Sequence, residues 1–496
     1  MTSDQLNANV RRDRAVGAVL ASAAADALGA PHEFGPALDP STVLAMTGGG
    51  PFPWAPGEWT DDTQTALAIL EPLSRGVGVT DLPDAVARGL QAWFASQPPD
   101  VGIQTTSVLS AAASSSASLA EVTAAWQASR PHSSGNGSLM RTGPLALAGG
   151  SLSRPALADL ARTVSALTHA SADAVEACIL WTDAIRRAID APVVASGELD
   201  WVAHVAVGLD LLDESRRAVW AERLTDAGSK EPEEFNPNGY VVFALQAALS
   251  SLTHTEVPVD RPCRHLRLAI ERVIRIGDDT DTVAAICGSL AGAWWGATAV
   301  PLEWRRVLNG RIIYGTKALT GADLDRMARL ADGGGNDDPS GWPSIGSMLP
   351  EYTRKFSADP LAEPLDGSVT VGNVYAVADQ ATRVDVVVSL CRMGRNDVPD
   401  GVEHQAIGLI DRLADDNLNV AFVLADTADY MADQVAAGRS VFLHCVQAEN
   451  RTPAVAAAYL MRTQGLGVDD ALAQVFELTG TRPKPFLVDG LRALEG

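Results

Sequence analysis

Two short clusters of carboxylate and hydroxyl side chains carry the strongest chemical signal in this sequence. One spans residues 60–63 (TDDT), the other spans 278–282 (DDTDT), and each opens an apolar-periodic run. One Thr or Asp is enough to cap a helix and complement its dipole, so capping is the simple interpretation of either cluster alone. Crowded carboxylates repel one another unless a cation lies among them, and all-oxygen ligand sets suit Mg²⁺, Mn²⁺ or Ca²⁺. Together the clusters predict a divalent-cation site.

A cysteine near the C-terminus lies in a sequence pattern that favours a nucleophilic thiolate. Residues 440–444 read as a strand, and Cys445 follows, then five residues, Arg451, Thr452 and an Ala-rich helix. A loop that enters a helix N-terminus favours an anion and lowers a thiol pKa, and Arg can bind two phosphate oxygens as a fork. The pattern predicts a phosphate-facing thiolate. The alternatives are a buried structural cysteine and a domain that binds phosphate without turnover.

The elements that must position the first set of residues are helices. From residue 10 to about 330, Ala/Leu segments at helical spacing are broken by Gly/Pro/Ser loops, which predicts an all-α domain. The run 15–25 imitates a secretory signal but reads better as a first core helix. The uncharged run 283–302 is long enough to cross a bilayer, yet the Asp residues before it favour a buried helix. No membrane span is predicted.

The second set lies in a region of different composition. Residues 331–341 are polar and Gly-rich, so we predict a flexible linker over 331–350 between a domain at 10–330 and a domain at 351–496. Alternating strands and helices after the linker predict a small α/β domain. We expect strands over 369–378, 384–390, 420–424 and 440–444, and helices over 403–414, 453–463 and 469–477.

Charge and cysteine content exclude several classes of function. Lys and Arg total 38 against 61 Asp and Glu, a formal net charge of −23 over 496 residues. Such a chain would repel phosphates at long range, which argues against general nucleic-acid or anionic-membrane binding. The five cysteines form no CxxC pair and no disulfide framework, which suits a reducing cytoplasm. We therefore expect a cytoplasmic multidomain protein.

Five ordered motifs resemble the ADP-ribosylglycohydrolase family. They cover about residues 12–330 and lie at 26–31 with Glu33, 59–63, 135–141, 168–169 and 277–282. The resemblance implies an all-α domain that binds two divalent cations, usually Mg²⁺ or Mn²⁺, and releases ADP-ribose from a protein side chain or a small acceptor. The implied cation ligands are Thr60, Asp61, Asp62, Asp279, Asp281 and Thr282.

The same resemblance implies roles for further residues. Glu33 matches a mobile glutamate that guides the water or the leaving group, so it is the catalytic candidate. Asp26 lies near the end of the first helix, where a carboxylate opposes the dipole, which indicates a role there. The implied substrate-binding residues are Asp26, Gly135, Asn136, Gly137, Ser138 and Met140. We assign His169 a structural role.

The region from 366 to 490 resembles the dual-specificity branch of the cysteine phosphatases, through the pattern His-Cys-x5-Arg-Ser/Thr. The resemblance implies that Cys445 forms a phosphocysteine, that Arg451 binds phosphate and that Thr452 assists release. Ala448 and Glu449 depart from the family's usual loop. The general acid stays open among Asp411, Asp415 and Asp416.

The leading interpretation is a two-domain enzyme, a metal-dependent ADP-ribosylglycohydrolase tethered to a phosphatase-like domain. The group to which ADP-ribose is attached stays open among arginine, serine and a small acceptor. That one substrate carries both ADP-ribose and phosphate is a hypothesis. Two alternatives remain. One is a non-catalytic ADP-ribose sensor, and the other is a phosphatase that uses the helical domain as a platform.

Overall fold

Two differently built parts make up the chain. The computed structural model describes residues 7–150, 152–194, 198–356 and 359–495. The N-terminal part is almost entirely helical, apart from two paired two-residue strands, β1 (Asn309–Gly310) and β2 (Leu319–Thr320). The C-terminal part is an α/β domain around a five-stranded sheet. Both fold classes predicted from the sequence are confirmed.

In the described residues the helical domain contains fourteen α-helices. They are α1 (Ala8–Gly29), α2 (Asp61–Ser74), α3 (Leu82–Ala95), α4 (Ile103–Ala113), α5 (Leu119–Ser129), α6 (Arg154–Ser165), α7 (Ala172–Asp190), α8 (Trp201–Ala206), α9 (Glu214–Ser229), α10 (Val241–His254), α11 (His265–Ile274), α12 (Thr280–Trp295), α13 (Leu302–Arg305) and α14 (Gly321–Asp332).

Helices α1 and α12 form the centre of this domain and pack antiparallel. Gly17 of α1 lies against Gly292 of α12, and Gly29 at the end of α1 lies against Thr280 at the start of α12. The contact is so close that a Cβ on Gly292 would lie 2.1 Å from the carbonyl oxygen of Gly17. Every residue of α12 is buried, as the buried-helix prediction requires. None of the helices within the described ranges is long and apolar enough to cross a membrane.

The α/β domain has a mixed sheet with strand order β3-β4-β7-β5-β6. Strands β4, β7, β5 and β6 run parallel, and β3 pairs antiparallel with β4 at one edge. The elements after α14 are α15 (Leu349–Lys355), β3 (Ala362–Pro364), β4 (Val369–Asn373), α16 (Val377–Gln380), β5 (Val386–Ser389), β6 (Glu403–Ala406), α17 (Val420–Ala436), β7 (Val441–Cys445), α18 (Arg451–Gln464), α19 (Val468–Thr479) and α20 (Pro485–Arg492).

Alternate residues of the central strands face two separate cores. Val441 and Leu443 of β7 pack into the cluster that contains residues of α17, α18, α19 and α20. Phe442, between them, packs on the opposite face with Val377 and Met393. Burial on both faces places the end of β7, and therefore Cys445, deep within the domain.

Three predictions for this domain were wrong in part. Residues 403–414 form no α-helix: 403–406 are the edge strand β6, whose half-buried polar side chains hide the strand pattern. Residues 420–424 begin α17 rather than a strand, because a short apolar run does not distinguish a strand from a buried helical turn. The strand predicted over 369–378 ends at Asn373. The strands within 384–390 and 440–444 and the last two helices are confirmed.

The segment between the domains packs against both. Trp342 lies between two guanidinium groups, with Arg329 of α14 4.7 Å and Arg392 4.5 Å from its ring centroid. Asp338 forms an ion pair with Arg392. Such cation–π contacts hold α14 near the α/β domain. The boundaries 10–330, 331–350 and 351–496 stay predictions.

Candidate active sites

The first site lies where three helix ends of the helical domain meet. The last turn of α1 supplies Asp26, and the starts of α2 and α12 supply the two clusters found in the sequence. Asp26 is fully buried and accepts hydrogen bonds from the backbone N–H groups of Thr60 and Thr63, both at 3.0 Å. Asp26 therefore fixes the first turn of α2 against α1. Its predicted contact with substrate stays a prediction.

The predicted cation ligands lie close together in an acidic cluster, and the catalytic candidate Glu33 lies beside them. Glu33, Asp279 and Asp281 each offer an oxygen, and these oxygens lie within 4.8 Å of one another. The hydroxyls of Thr60 and Thr282 both donate to Oδ2 of Asp62, each at 3.2 Å, which joins the starts of α2 and α12. Asp62 Oδ1 and Glu33 Oε2 are buried without a hydrogen-bond partner. Buried carboxylate oxygens without donors are suited to a cation.

Electrostatics supports the same interpretation. Burial, reinforced by repulsion between the neighbouring carboxylates, raises the pKa values of Asp61, Asp62 and Asp281 well above the ordinary range. The same causes raise the pKa of Glu33 to about 11. The protein alone thus disfavours the ionised form of this cluster, and divalent cations would reverse that preference. The donor set fits hard cations such as Mg²⁺ and Mn²⁺.

Asp100 joins this cluster, although no motif in the sequence predicts it. It lies in the loop between α3 and α4, is half-buried, and its side chain lies beside that of Asp61. Burial raises the pKa of Asp100 to about 6. Its only sequence signal is a carboxylate in a short Pro-containing loop, which points to no particular chemistry.

The glycine-containing loop 135–141 borders the acidic cluster. Asn136 donates to Asp279 Oδ2 at 2.7 Å, and Met140 Sδ lies 3.9 Å from the Thr282 hydroxyl. Ser138 points inward, towards Ser165 and Cys178. Asn136 and Met140 thus reach the acidic cluster, whereas Ser138 does not.

The two glycines of this loop lie over a histidine ring. A Cβ on Gly135 would lie 3.5 Å from His169 Nε2, and one on Gly137 would lie 3.0 Å from His169 Cε1. Burial lowers the pKa of His169 to about 3, so the ring is neutral at physiological pH. Asn238, also missed from the sequence, accepts a hydrogen bond from the backbone N–H of Asp279 at 2.9 Å.

The second site lies at the end of β7, where the chain turns into α18. Cys445 is buried, and Arg451 donates to the carbonyl oxygens of Leu390 and Leu409. The Nε of Arg451 is buried without an acceptor. The hydroxyl of Thr452 donates to the carbonyl oxygen of Gly372 at 3.4 Å. The structure thus brings Cys445, Arg451 and Thr452 together at one strand end.

The cysteine loop has one unusual backbone position. Ala448 adopts a φ of +58°, in the left-handed region that glycine prefers. Its carbonyl oxygen accepts a hydrogen bond from the Thr481 hydroxyl at 3.2 Å. Glu449 is exposed, so its charge faces solvent.

The structure separates the three candidates for the general acid. Asp411 Oδ2 lies 3.7 Å from Arg451 Nε, and Asp411 Oδ1 lies 2.9 Å from Lys484 Nζ. Asp415 is exposed, and Asp416 is buried with its oxygens engaged elsewhere. Of the three, Asp411 is the residue that faces the cysteine loop.

The N-terminal domain is therefore a mainly helical domain whose central helices gather buried carboxylates from two helix starts into one acidic cluster. The chain belongs to the ADP-ribosylglycohydrolase family, whose family model matches residues 7–339.

Two curated relatives show the similarity in detail. The ADP-ribosylarginine hydrolase Tri1 of Pseudomonas putida is 31% identical over 303 residues, which cover 59% of this chain and 73% of the relative. The ADP-ribosyl-[dinitrogen reductase] glycohydrolase of Rhodospirillum rubrum is 29% identical and covers 60% of this chain and 92% of its own length.

Solved structures match each part of the chain separately. A chain of an ADP-ribosylglycohydrolase-related protein complex is 30% identical, with 66% of this chain and 99% of that chain covered and a TM-score of 0.49. The structure of human DUSP28 is 25% identical, with 28% of this chain and 98% of that chain covered and a TM-score of 0.26.

Proposed function

We propose that the helical domain hydrolyses the N-glycosidic bond between ADP-ribose and an arginine side chain of a protein, in the cytoplasm and with two bound Mg²⁺ or Mn²⁺ ions. The observation that carries the proposal is the buried cluster of carboxylates at the starts of α2 and α12. Family membership supports glycohydrolysis, and relatives named as an ADP-ribosylarginine hydrolase and a dinitrogen reductase glycohydrolase support arginine as the acceptor.

The cation ligands in this proposal are residues of the two helix starts. They are Thr60, Asp61, Asp62, Asp279, Asp281 and Thr282. When bound, the cations would neutralise the carboxylates, hold the ribose hydroxyls and polarise a water. Asn136, bonded to Asp279, supports one ligand from outside the cluster.

Glu33 is the proposed proton-transfer residue. It is only 8% exposed and one of its oxygens has no partner, so it is free to bond to water or to the leaving group. In the reaction, water oxygen bonds to C1″ of the ribose and the C1″–nitrogen bond breaks. Glu33 takes a proton from the water and passes one to the departing guanidine nitrogen.

Asp100 supports arginine over a neutral acceptor. The guanidinium group is positively charged, and Asp100 adds a carboxylate beside Asp61 at the edge of the cluster. A carboxylate can accept two parallel hydrogen bonds from a guanidinium group. An O-linked serine acceptor offers no such charge.

The proposal is tested by release of free ADP-ribose from an ADP-ribosylarginine peptide and an ADP-ribosylserine peptide, with Mg²⁺, Mn²⁺ or EDTA. We expect cation-dependent release from arginine, and a loss of about a hundredfold or more in Asp281→Asn. The matched control is Asp159→Asn, a surface carboxylate about 4 Å from Arg162. Tight ADP-ribose binding without release would favour the sensor alternative instead.

A second candidate function is hydrolysis of a phosphomonoester by the α/β domain. The supporting observation is Cys445 at the end of β7 beside Arg451, whose buried Nε lacks an acceptor. In this reaction the Cys445 thiolate bonds to phosphorus, the bond to the ester oxygen breaks, and that oxygen takes a proton from a general acid, for which Asp411 is the candidate that faces the cysteine loop. Water then hydrolyses the phosphocysteine, and Thr452 assists release.

Hydrolysis of p-nitrophenyl phosphate tests this second function. Cys445→Ser should abolish turnover, and Arg451→Lys should lower it about a hundredfold because the planar fork is lost. Arg462→Lys is the matched control, since Arg462 lies on the same helix and is exposed. If the wild-type protein does not hydrolyse p-nitrophenyl phosphate, the alternative of a domain that binds phosphate without turnover is favoured. If this turnover were present while ADP-ribose release was absent, the platform alternative would be favoured.

A further inference from the structure

One loop of the α/β domain touches both the cysteine loop and the helical domain. At its beginning, Asp411 lies beside Arg451 and Lys484, and Asn450 donates to it at 3.3 Å. At its end, residues 416–419 reach helices α1 and α12. The position of Asp411 therefore depends on how the rest of residues 410–419 is held.

The loop is closed on itself by one side chain. Asn417 Oδ1 accepts from the backbone N–H of Ile410 at 2.8 Å, and its Nδ2 donates to the carbonyl oxygen of Ile410 at 3.0 Å. Asp416 accepts from the backbone N–H of Leu413 at 3.1 Å. These bonds make residues 410–417 a small rigid unit, so a shift at Asp416 moves Asp411 as well.

The helical domain holds this unit at a buried carboxylate. Asp416 Oδ1 accepts hydrogen bonds from Nδ2 of Asn7 and Nδ2 of Asn9, both at 2.8 Å, and the Asp416 side chain has no exposed area. Asn419 adds a second attachment, because its Nδ2 donates to the carbonyl oxygen of Trp295 at 2.7 Å. Hydrogen bonds to an ionised acceptor are among the stronger polar contacts in proteins.

We infer that the helical domain completes the cysteine site: Asn7 and Asn9, acting through Asp416, hold the loop that presents Asp411 to Arg451. Asp411 is then the acid that gives a proton to the ester oxygen, and Asp416 is a positioning residue. The inference rests on the second candidate function. A general acid acts only within hydrogen-bond reach, so a small displacement of the loop weakens proton transfer.

Asn7→Asp is the most direct test in the full chain. Asn7 caps α1 by accepting from the backbone N–H of Asn9, and Asp caps a helix equally well. The change therefore keeps the cap but places a second carboxylate against Asp416. Asn336→Asp, at an exposed position, is the matched control. Asn9→Ala removes one donor and should give a smaller change of the same sign.

Two measurements separate positioning from general damage. The first is amide hydrogen exchange of residues 410–417, which should become about tenfold faster or more in Asn7→Asp. The second is the ratio of turnover on p-nitrophenyl phosphate to turnover on phenyl phosphate. A poor leaving group needs the acid most, so this ratio should rise about tenfold. A purely structural loss would lower both rates equally.

Each outcome decides a separate question. Unchanged exchange in Asn7→Asp, or an equal loss on both esters, would overturn the inference. If the wild type hydrolyses neither ester, the second candidate function fails, and exchange of residues 410–417 still decides whether Asn7 holds the loop. Release of ADP-ribose from ADP-ribosylarginine should stay at the wild-type rate and shows that the variant is folded.

Discussion

Asp100 adds to the acidic cluster a carboxylate that the cation-binding motifs do not account for. In the proposed reaction it faces the guanidinium side of the substrate, so Asp100→Asn should lower kcat/KM for ADP-ribosylarginine by about ten- to a hundredfold. Free ADP-ribose lacks the guanidinium group, so its affinity should stay within about twofold. Product release and calorimetric titration measure the two quantities.

The matched control for this prediction is Asp84→Asn on α3, where the carboxylate is exposed. Equal losses of kcat/KM and ADP-ribose affinity in Asp100→Asn would mean that Asp100 supports the cluster as a whole and does not bind the guanidinium group of the acceptor.

Ala448 holds a left-handed backbone conformation in the cysteine loop. A Cβ in this region costs about 1 kcal/mol, so Ala448→Gly should raise the free energy of unfolding of the α/β domain by about that amount. Urea denaturation, monitored by far-UV circular dichroism, measures the change. Ala437→Gly, at a negative φ of −78°, should not stabilise the domain. A stabilised control or an unchanged Ala448→Gly would contradict the explanation.

Most of the first site could be predicted from the sequence because its residues come in ordered clusters. Asp61, Asp62, Asp279 and Asp281 belong to short runs whose composition exceeds the needs of a helix cap. Asp100 and Asn238 are single residues in loops, and only the fold brings them to Asp61 and Asp279. A contact between distant single residues leaves no local pattern.

At the scale of elements, α1 and α12 depend on small residues at their crossing. A Cβ on Gly292 would overlap the backbone of Gly17, so Gly292→Ala should push the helices apart and cost about 3 kcal/mol. Affinity for Mg²⁺ should fall as well, because α1 and α12 carry Asp26 and Asp281. Thermal unfolding and titration with Mg²⁺ measure these effects.

Gly78→Ala is the matched control for the helix crossing, since a Cβ there would have no atom within 4 Å. Its stability and its Mg²⁺ affinity should equal those of the wild type. A Gly292→Ala variant with the same melting temperature as Gly78→Ala would show that the helices accept a methyl group without moving.

The elements themselves were predictable where the apolar period was long. The uncharged apolar run after residue 282 predicted α12, and the alanine-rich run before residue 26 predicted α1. Strand β6 was missed because an edge strand with half-buried polar residues shows no apolar alternation. The start of α17 was misread because its five apolar residues also fit a buried strand.

In the whole molecule, the two candidate sites are linked to opposite ends of the same helix pair. Helix α1 has 22 residues, so it is about 33 Å long, with Asn7 as its N-cap and Asp26 in its last turn. Helix α12 runs the other way, from Thr280 to Trp295, whose carbonyl oxygen accepts the hydrogen bond from Asn419. The acidic cluster and the loop that carries Asp411 are therefore attached to opposite ends of the same two helices.

The acidic cluster also contributes to the dependence of the free energy of unfolding on pH. Asp26 and Asp100 have pKa values raised to about 6, chiefly by burial, and Glu33 to about 11. These carboxyls bind protons more tightly when folded than when unfolded, where their pKa values lie near about 4. Without cations, the folded state therefore binds more protons, and the free energy of unfolding falls as pH rises from about 4 through 6 and beyond.

Divalent cations should remove this dependence, because they bind the ionised carboxylates of the folded state only. The protein in EDTA should melt at a lower temperature near about pH 8 than near about pH 5, and Mg²⁺ should raise the melting temperature more at the higher pH. Asp281→Asn should melt higher than the wild type in EDTA and gain less from Mg²⁺, because one buried charge and one ligand are gone. The control Asp159→Asn should follow the wild type at both pH values. Equal melting temperatures at the two pH values in EDTA would mean that neighbouring groups already neutralise the cluster, and the cation proposal would lose its electrostatic basis.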